Sequence, residues 1–221
     1  MSGFDLKPLN LICLKPLKVQ LKARIKCIAW VQGLLFGLMS ITPALSSATV
    51  NLEVETPSDS KVLVVYFSRS GNTKLLAQEI ARYYQAALLP LKAGAYPMGA
   101  QGLFNAVLDS QEKRAVISPE KVDLSAYDTL FIGAPIWRYS PAPPVWQFIE
   151  SNNLAHKNVV LFSTFNSGFK QQYIDEFKAR VEAQGGHFIS HLYIRRGRML
   201  VQVSSEGLLS RAREKLEKLE F

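Results

Sequence analysis

The chain has 221 residues, a length that suits one domain with a sheet covered on both faces. The formal net charge is +8, but residues 1–48 hold six Lys/Arg and one acid, while the rest carries 20 Lys/Arg against 17 Asp/Glu. That mixed surface lacks a basic stripe, which excludes nucleic acid as the partner. Both cysteines lie in the first segment and the three histidines lack carboxylate neighbours, so we expect no disulfide framework in the rest of the chain and no metal site.

Residues 1–48 have the pattern of a secretory signal. Basic residues precede an apolar run from Cys27 to Thr42, and a small-residue tract follows and ends at Ala48. The run is short for a membrane span. We therefore predict an exported, periplasmic protein cleaved near Ala48. The main alternative is that the segment stays uncleaved as an N-terminal anchor. We would then expect contact with the membrane only through this segment. Residues 49–60 read as a polar linker and residues 61–221 as the folded domain.

The folded part opens with a strand that leads into a small polar turn. The apolar run Val62–Phe67 has no alternation, as expected for a parallel strand covered on both faces. Hydroxyl, amide and glycine residues follow where a helix begins, and a helix N-terminus attracts anions, most often phosphate. The candidate phosphate-binding residues are Ser68, Arg69, Ser70, Gly71, Asn72 and Thr73. An ordinary helix cap is the simpler alternative.

The spacing Ser68-x-Ser70-Gly71-x-Thr73 after an apolar strand resembles the signature (S/T)-x-(S/T)-G-x-T of the flavodoxin family. In that family the turn holds the phosphate of FMN, so the resemblance implies FMN as the cofactor. The turn fits neither the P-loop pattern nor the G-x-G-x-x-G dinucleotide fingerprint.

The next elements alternate between helix and strand. Leu76 and Ile80 recur at helical spacing, Ala86–Leu91 reads as a strand, and Leu103–Arg114 reads as a second helix. Pro90 places the second strand near a sheet edge. The alternation predicts a doubly wound parallel α/β sheet, in which ligands bind beyond the carboxyl ends of the strands.

A second candidate site segment follows the predicted strand Thr129–Ile132. The sequence Gly133-Ala134-Pro135-Ile136-Trp137 is similar to a G-x-P-x-W segment of flavodoxin-like proteins. Glycine and proline there predict a turned backbone that displays aromatic rings for stacking on a flat cofactor. The candidates are Pro135, Ile136, Trp137, Arg138 and Tyr139, and core packing is the alternative for Trp137.

A third segment follows the predicted strand Val159–Phe162. In the flavodoxin family the corresponding loop closes over the flavin ring. The resemblance therefore implies contacts from Thr164, Phe165, Asn166, Ser167 and Gly168, with Phe165 as the candidate aromatic.

The remaining pattern completes a five-stranded sheet. A helix containing Phe177 stops at Gly185-Gly186, His187–Ile194 reads as the fifth strand, and a final amphipathic helix closes the chain. We expect a flavodoxin-like, doubly wound five-stranded parallel sheet with helices on both faces, in the short-chain form without an insertion in the fifth strand.

The resemblance implies a redox function for the FMN-binding domain. We expect an electron carrier that docks with a redox partner, and because such carriers are usually acidic, this slightly basic domain would need an acidic partner. The alternative is an FMN-dependent reductase that passes electrons from a nicotinamide to a small acceptor such as a quinone. A cofactor-free binding module is a third reading. A cluster of three arginines follows the fifth strand: Arg195, Arg196 and Arg198. This cluster either binds a phosphate or an acidic partner, or it belongs to a solvated loop.

Overall fold

The computed structural model describes residues 60–197 and 201–219. The chain divides into two units, residues 1–49 and 50–221, and every described element belongs to the second. The predicted leader and all of the predicted linker except Ser60 lie outside the described residues. Within the described ranges, no helix has the length and apolar character needed to cross a membrane.

The domain is built on a parallel sheet whose five strands follow the order β2-β1-β3-β5-β6. The strands are β1 (Val62–Tyr66), β2 (Ala87–Pro90), β3 (Thr129–Trp137), β5 (Asn158–Phe165) and β6 (His187–Arg195). A two-residue strand, β4 (Ser140–Pro141), pairs antiparallel with the end of β3. The order reverses between β1 and β3, and this switch point opens a crevice at the carboxyl edge of the sheet. The flavodoxin-like fold class is confirmed.

In the described ranges, five helices cover the two faces of the sheet. They are α1 (Asn72–Tyr84), α2 (Ala100–Asp109), α3 (Pro143–Ser151), α4 (Gln171–Ala183) and α5 (Ser205–Leu216). Buried residues of α2, α3 and α4 pack on one face, and those of α1 and α5 pack on the other. The central strands β1, β3 and β5 are buried on both sides over most of their length, which explains their continuous apolar sequence. Trp146 and Phe148 of α3 are fully buried.

The second predicted helix was placed several residues too late. It runs from Ala100 to Asp109 rather than from Leu103 to Arg114. The hydroxyl of Ser110 donates a hydrogen bond to the Val107 carbonyl, 2.8 Å away, and this bond competes with continuation of the helix. The predicted edge position of the second strand is correct, because β2 pairs only with β1.

Two strands are longer than the sequence pattern indicated. The prediction of a turned backbone from Gly133 is wrong, since β3 continues to Trp137 and turns only at Arg138 and Tyr139. Pairing with β4 extends it, and the Pro135 carbonyl accepts a hydrogen bond from the Ala142 N–H. Likewise β5 continues to Phe165, because β3 and β6 pair with it on both sides.

Candidate functional site

Loops at the ends of β1, β3 and β5 surround a cavity of about 480 Å³ at the carboxyl edge of the sheet. This volume is within the range of small-molecule and cofactor sites. Most of the predicted site residues line it: Arg69, Ser70, Asn72, Pro135, Ile136, Trp137, Arg138, Tyr139, Thr164, Phe165, Asn166, Ser167 and Gly168. The three predicted segments, widely separated in sequence, therefore meet in one place.

The turn after β1 presents the free N-terminus of α1. Gly71 occupies the N-cap position with φ +88°, a left-handed conformation that glycine adopts without strain. Among the described residues, no side chain caps the helix. The first hydrogen bond of the helix runs from the Leu75 N–H to the Gly71 carbonyl. The N–H groups of the residues before Leu75 therefore have no acceptor within the helix. This arrangement attracts an anion.

Three residues of the predicted turn do not line the cavity. Ser68 shapes the turn, because its hydroxyl accepts a hydrogen bond of 3.1 Å from the Gly71 N–H. Thr73 is buried, and its hydroxyl lies 2.9 Å from the Thr164 hydroxyl, which ties the α1 end to β5. Ser68, Gly71 and Thr73 thus position the turn, whereas Ser70 and Asn72 line the cavity.

Arg69 lines the cavity and also holds a neighbouring loop. Its Nε donates to the Pro97 carbonyl at 3.3 Å, and its Nη2 donates to the Gly99 carbonyl at 2.6 Å. Gly99 is the N-cap of α2. The guanidinium therefore links the turn after β1 to the start of α2.

Aromatic side chains form another wall of the cavity. Trp137 is half-buried and contacts the rings of Phe67 and Tyr96 edge-on, with centroid separations of 5.6 and 4.9 Å. Tyr139 is 50 % exposed, and its carbonyl accepts a hydrogen bond of 3.0 Å from the Lys170 N–H. The Trp137 ring is thus held by packing, whereas the Tyr139 ring is half exposed to solvent.

Burial raises the pKa of Tyr96, and the nearby carboxyl of Asp109 raises it further. The phenol behind Trp137 therefore stays neutral and donates to Asp109 Oδ2 at 3.2 Å.

Phe165 is mostly buried at the edge of the cavity. It lines the cavity, but it is only 9 % exposed, and its ring packs against Phe169 and Tyr193. The loop Asn166–Gly168 beyond it is half-buried to exposed and offers polar groups to the cavity.

A buried hydrogen bond lies behind this loop. The Ser163 hydroxyl is 2.6 Å from His191 Nε2. Burial lowers the pKa of His191 to about 4, with a further contribution from the positive charge of Lys215. The imidazole is therefore neutral near pH 7.

Four residues that line the cavity were not predicted from the sequence as part of the site. Leu103, Ala106 and Val107 come from α2, and Arg196 comes from the end of β6. The spacing of Leu103, Ala106 and Val107 indicated that these residues share one face of a helix. Nothing in the sequence indicated that this face borders the cavity. Arg196 was noted only within a basic cluster. In the described part of the chain, no group of three or more His, Cys, Asp or Glu is placed to hold a metal ion.

Comparison with known proteins gives consistent results. A flavoprotein candidate from Bacteroides uniformis ATCC 8492 is 22 % identical with a TM-score of 0.55, over 68 % of this chain and 96 % of its own. Another from Bacteroides eggerthii DSM 20697 is 22 % identical with a TM-score of 0.55, over 72 % and 98 %. A flavoprotein in complex with FMN from Lactobacillus acidophilus NCFM is 24 % identical with a TM-score of 0.49, over 61 % and 93 %. No curated protein matched the chain.

The model of the family described as Flavodoxin matches residues 61–209, which is most of the described domain. The sheet order, the turn after β1 and the cavity at the switch point agree with that match. The chain belongs to the flavodoxin family.

Proposed function

We propose that this protein binds FMN in the cavity at the carboxyl edge and acts in electron transfer. The observation that carries the proposal is the meeting of an uncapped helix N-terminus and an aromatic wall in one cavity. A flavin mononucleotide has a phosphate for the first feature and a flat ring for the second. Family membership supports FMN as the cofactor.

Each part of the cavity has a separate task in this proposal. Ser70, Asn72 and the end of α1 hold the phosphate, while Trp137 and Tyr139 border the ring. The loop Asn166–Gly168 covers the remaining side and limits water at the ring edge. Bound FMN supplies the redox chemistry by accepting and releasing electrons.

Cationic side chains around the cavity favour an acidic redox partner. Arg69 and Arg138 line the cavity, and Arg195 is exposed at the end of the neighbouring strand β6. Complementary charge speeds the encounter of two proteins and orients them. We therefore propose transient docking of an acidic partner at this edge.

A second candidate function is reduction of a small apolar acceptor such as a quinone. The α2 side chains that line the cavity are also exposed, 55 % for Leu103 and 45 % for Val107, and Phe104 beside them is 60 % exposed. An apolar surface next to the proposed ring site suits a hydrophobic acceptor. A cofactor-free binding module has weaker support, because the phosphate turn is intact.

The sequence pattern of residues 1–48 supports the proposal that the protein is exported from the cytoplasm. A basic region followed by an apolar run and a small-residue tract in residues 1–48 favours export, either with cleavage or with retention as an anchor. The redox partner would then lie outside the cytoplasm.

A flavin-fluorescence titration of the purified protein with FMN tests the proposal. We expect quenched one-to-one binding that Trp137→Ala weakens by about 10-fold or more, the effect of removing a stacked aromatic. Tyr83→Ala is the control, since Tyr83 is an exposed aromatic on α1 outside the cavity. A folded protein that does not bind FMN refutes the proposal.

Steady-state kinetics separates the two functions. Sustained oxidation of a nicotinamide with a quinone identifies a reductase. Reduction that depends on a separate partner reductase identifies a carrier.

A further inference from the structure

The residue of interest is Arg196, which follows β6 and lines the cavity together with Ser70 and Asn72. Its backbone is fixed on both sides. The Arg196 N–H donates to the Phe165 carbonyl at 2.8 Å, and the Arg196 carbonyl accepts from the Val203 N–H at 2.8 Å. The next residue, Gly197, has φ +88°, and a Cβ there would lie 2.2 Å from the Val201 carbonyl oxygen. The backbone of Arg196 is therefore held by hydrogen bonds to two separate segments.

The guanidinium is directed to the first residue of α1. Its Nε donates to Asn72 Oδ1 at 3.1 Å, and its Nη2 lies 3.5 Å from the Ser205 hydroxyl. Across 124 positions of sequence, this bond brings a positive charge to the helix end that carries the phosphate-binding turn. From the sequence, binding of a phosphate was one of the alternatives for Arg196, together with an acidic partner or a solvated loop.

The third nitrogen of Arg196, Nη1, has no hydrogen-bond partner among the residues that the structure describes. Within residues 60–197 and 201–219, only Arg196 Nη1 and Ser190 Oγ are buried side-chain polar atoms without a hydrogen bond. Leaving a buried donor of a charged group unpaired is costly, so such groups are nearly always satisfied by a partner. Two other arginines at this edge differ, since Arg69 donates to two carbonyls and Arg195 donates to the Asn166 carbonyl.

We propose that the guanidinium of Arg196 binds the phosphate of the flavin mononucleotide, and that Arg196 makes the site select a phosphorylated flavin over riboflavin. The inference rests on the proposed function, because it assigns the recognition of one group of that cofactor. An arginine matches phosphate oxygens in both charge and geometry. The Asn72 bond holds the guanidinium beside the α1 N-terminus, so the dipole and the cation act on the same anion.

The experiment compares the affinities of FMN and riboflavin by flavin-fluorescence titration of the full chain. We expect Arg196→Gln to weaken FMN binding by about 10- to 100-fold and riboflavin binding by less than about 2-fold, because only FMN has the charged partner. Lys74→Gln is the matched control. It removes the same charge from an exposed position on the first turn of α1, and we expect a change of less than about 3-fold for either flavin.

Arg196→Lys covers the case in which the glutamine variant does not fold. Lysine keeps the charge but lacks the fork that reaches Asn72 and phosphate together, so we expect FMN affinity to fall by about 3-fold or more with riboflavin affinity retained. Equal losses for both flavins, or no loss, overturn the role of Arg196 while leaving FMN binding in place. Failure of the folded wild-type protein to bind FMN overturns the proposed function and this inference together.

Discussion

Close packing, rather than an unusual backbone conformation, explains why a glycine occupies the position of Gly133. It pairs with Phe162 across β3 and β5, and the Phe162 ring covers its Cα. A Cβ at this position would lie 2.0 Å from the ring, far inside van der Waals contact. The glycine therefore allows a fully buried aromatic to pack on the strand that leads into the site.

We expect Gly133→Ala to lower the free energy of unfolding by about 3 kcal/mol, because the ring and both strands must shift. Urea denaturation measures the change. Gly94→Ala is the control, since Gly94 is exposed and its added Cβ would meet no atom within 4 Å. Equal stabilities of the two variants would contradict this account of the packing.

His191 makes stability depend on pH. Its pKa is lowered to about 4 in the folded protein, chiefly by burial, whereas the ordinary value is 6.5. As the pH falls, His191 therefore takes up a proton at a higher pH in the unfolded chain than in the folded protein. The contribution of His191 to the free energy of unfolding is retained above pH 6.5 and is lost between pH 6.5 and 4. The loss is on the order of 2 kcal/mol.

We expect His191→Gln to flatten this part of the pH profile of unfolding free energy. His187→Gln is the matched control, since it removes an exposed imidazole from the same strand. Urea melts at pH 7, 5.5 and 4.5 give the slopes. A variant that retains the wild-type slope would show that another group causes the acid loss.

At the scale of elements, the β3–β4 hairpin determines where the aromatic wall lies. Its two-residue turn places Arg138 at φ +44° and Tyr139 at φ +73°. Such turns favour Asn-Gly, because both residues adopt left-handed conformations that other side chains resist. Strained residues of this kind cluster at functional sites. Here the two residues line the proposed cofactor cavity.

We expect the double variant Arg138→Asn with Tyr139→Gly to raise the free energy of unfolding by about 1 kcal/mol and to weaken FMN binding. The gain comes from relief of left-handed strain, and the loss comes from the missing phenol ring. Thermal unfolding without ligand and a flavin titration measure the two effects. Lower stability without ligand would show that the contact of Lys170 with the Tyr139 ring outweighs the strain.

At the scale of the molecule, the domain contains all the parts of the proposed site. Every described element and every cavity residue lies within residues 60–219. The cofactor would contact loops from three strands and the start of α1, so binding would stabilise the domain as a whole.

We expect a fragment of residues 50–221 to fold and to bind FMN with the affinity of the full chain. At 100 times the dissociation constant, FMN should add about 2.7 kcal/mol of stability and raise the melting temperature by about 5–10 °C. Differential scanning fluorimetry of both proteins checks this. A fragment without a cooperative transition would show that residues 1–49 contribute to the fold.

The sequence by itself determined the fold class and the family, because both depend on local patterns. Continuous apolar runs such as Val62–Phe67 specify strands buried on both faces, and the alternation with amphipathic helices specifies a parallel sheet. The turn Ser68–Thr73 carries its hydroxyls and glycine in consecutive positions, so its spacing could be read directly.

Only the tertiary structure decided which residues complete the site. Arg196 contacts Asn72 although the two residues are 124 positions apart in sequence, and Leu103 joins the cavity through the position of α2. The structure also showed that Phe165 is buried among aromatic side chains and that β3 runs on to Trp137. These features arise from pairing and contact between distant segments, which local propensity and periodicity do not encode.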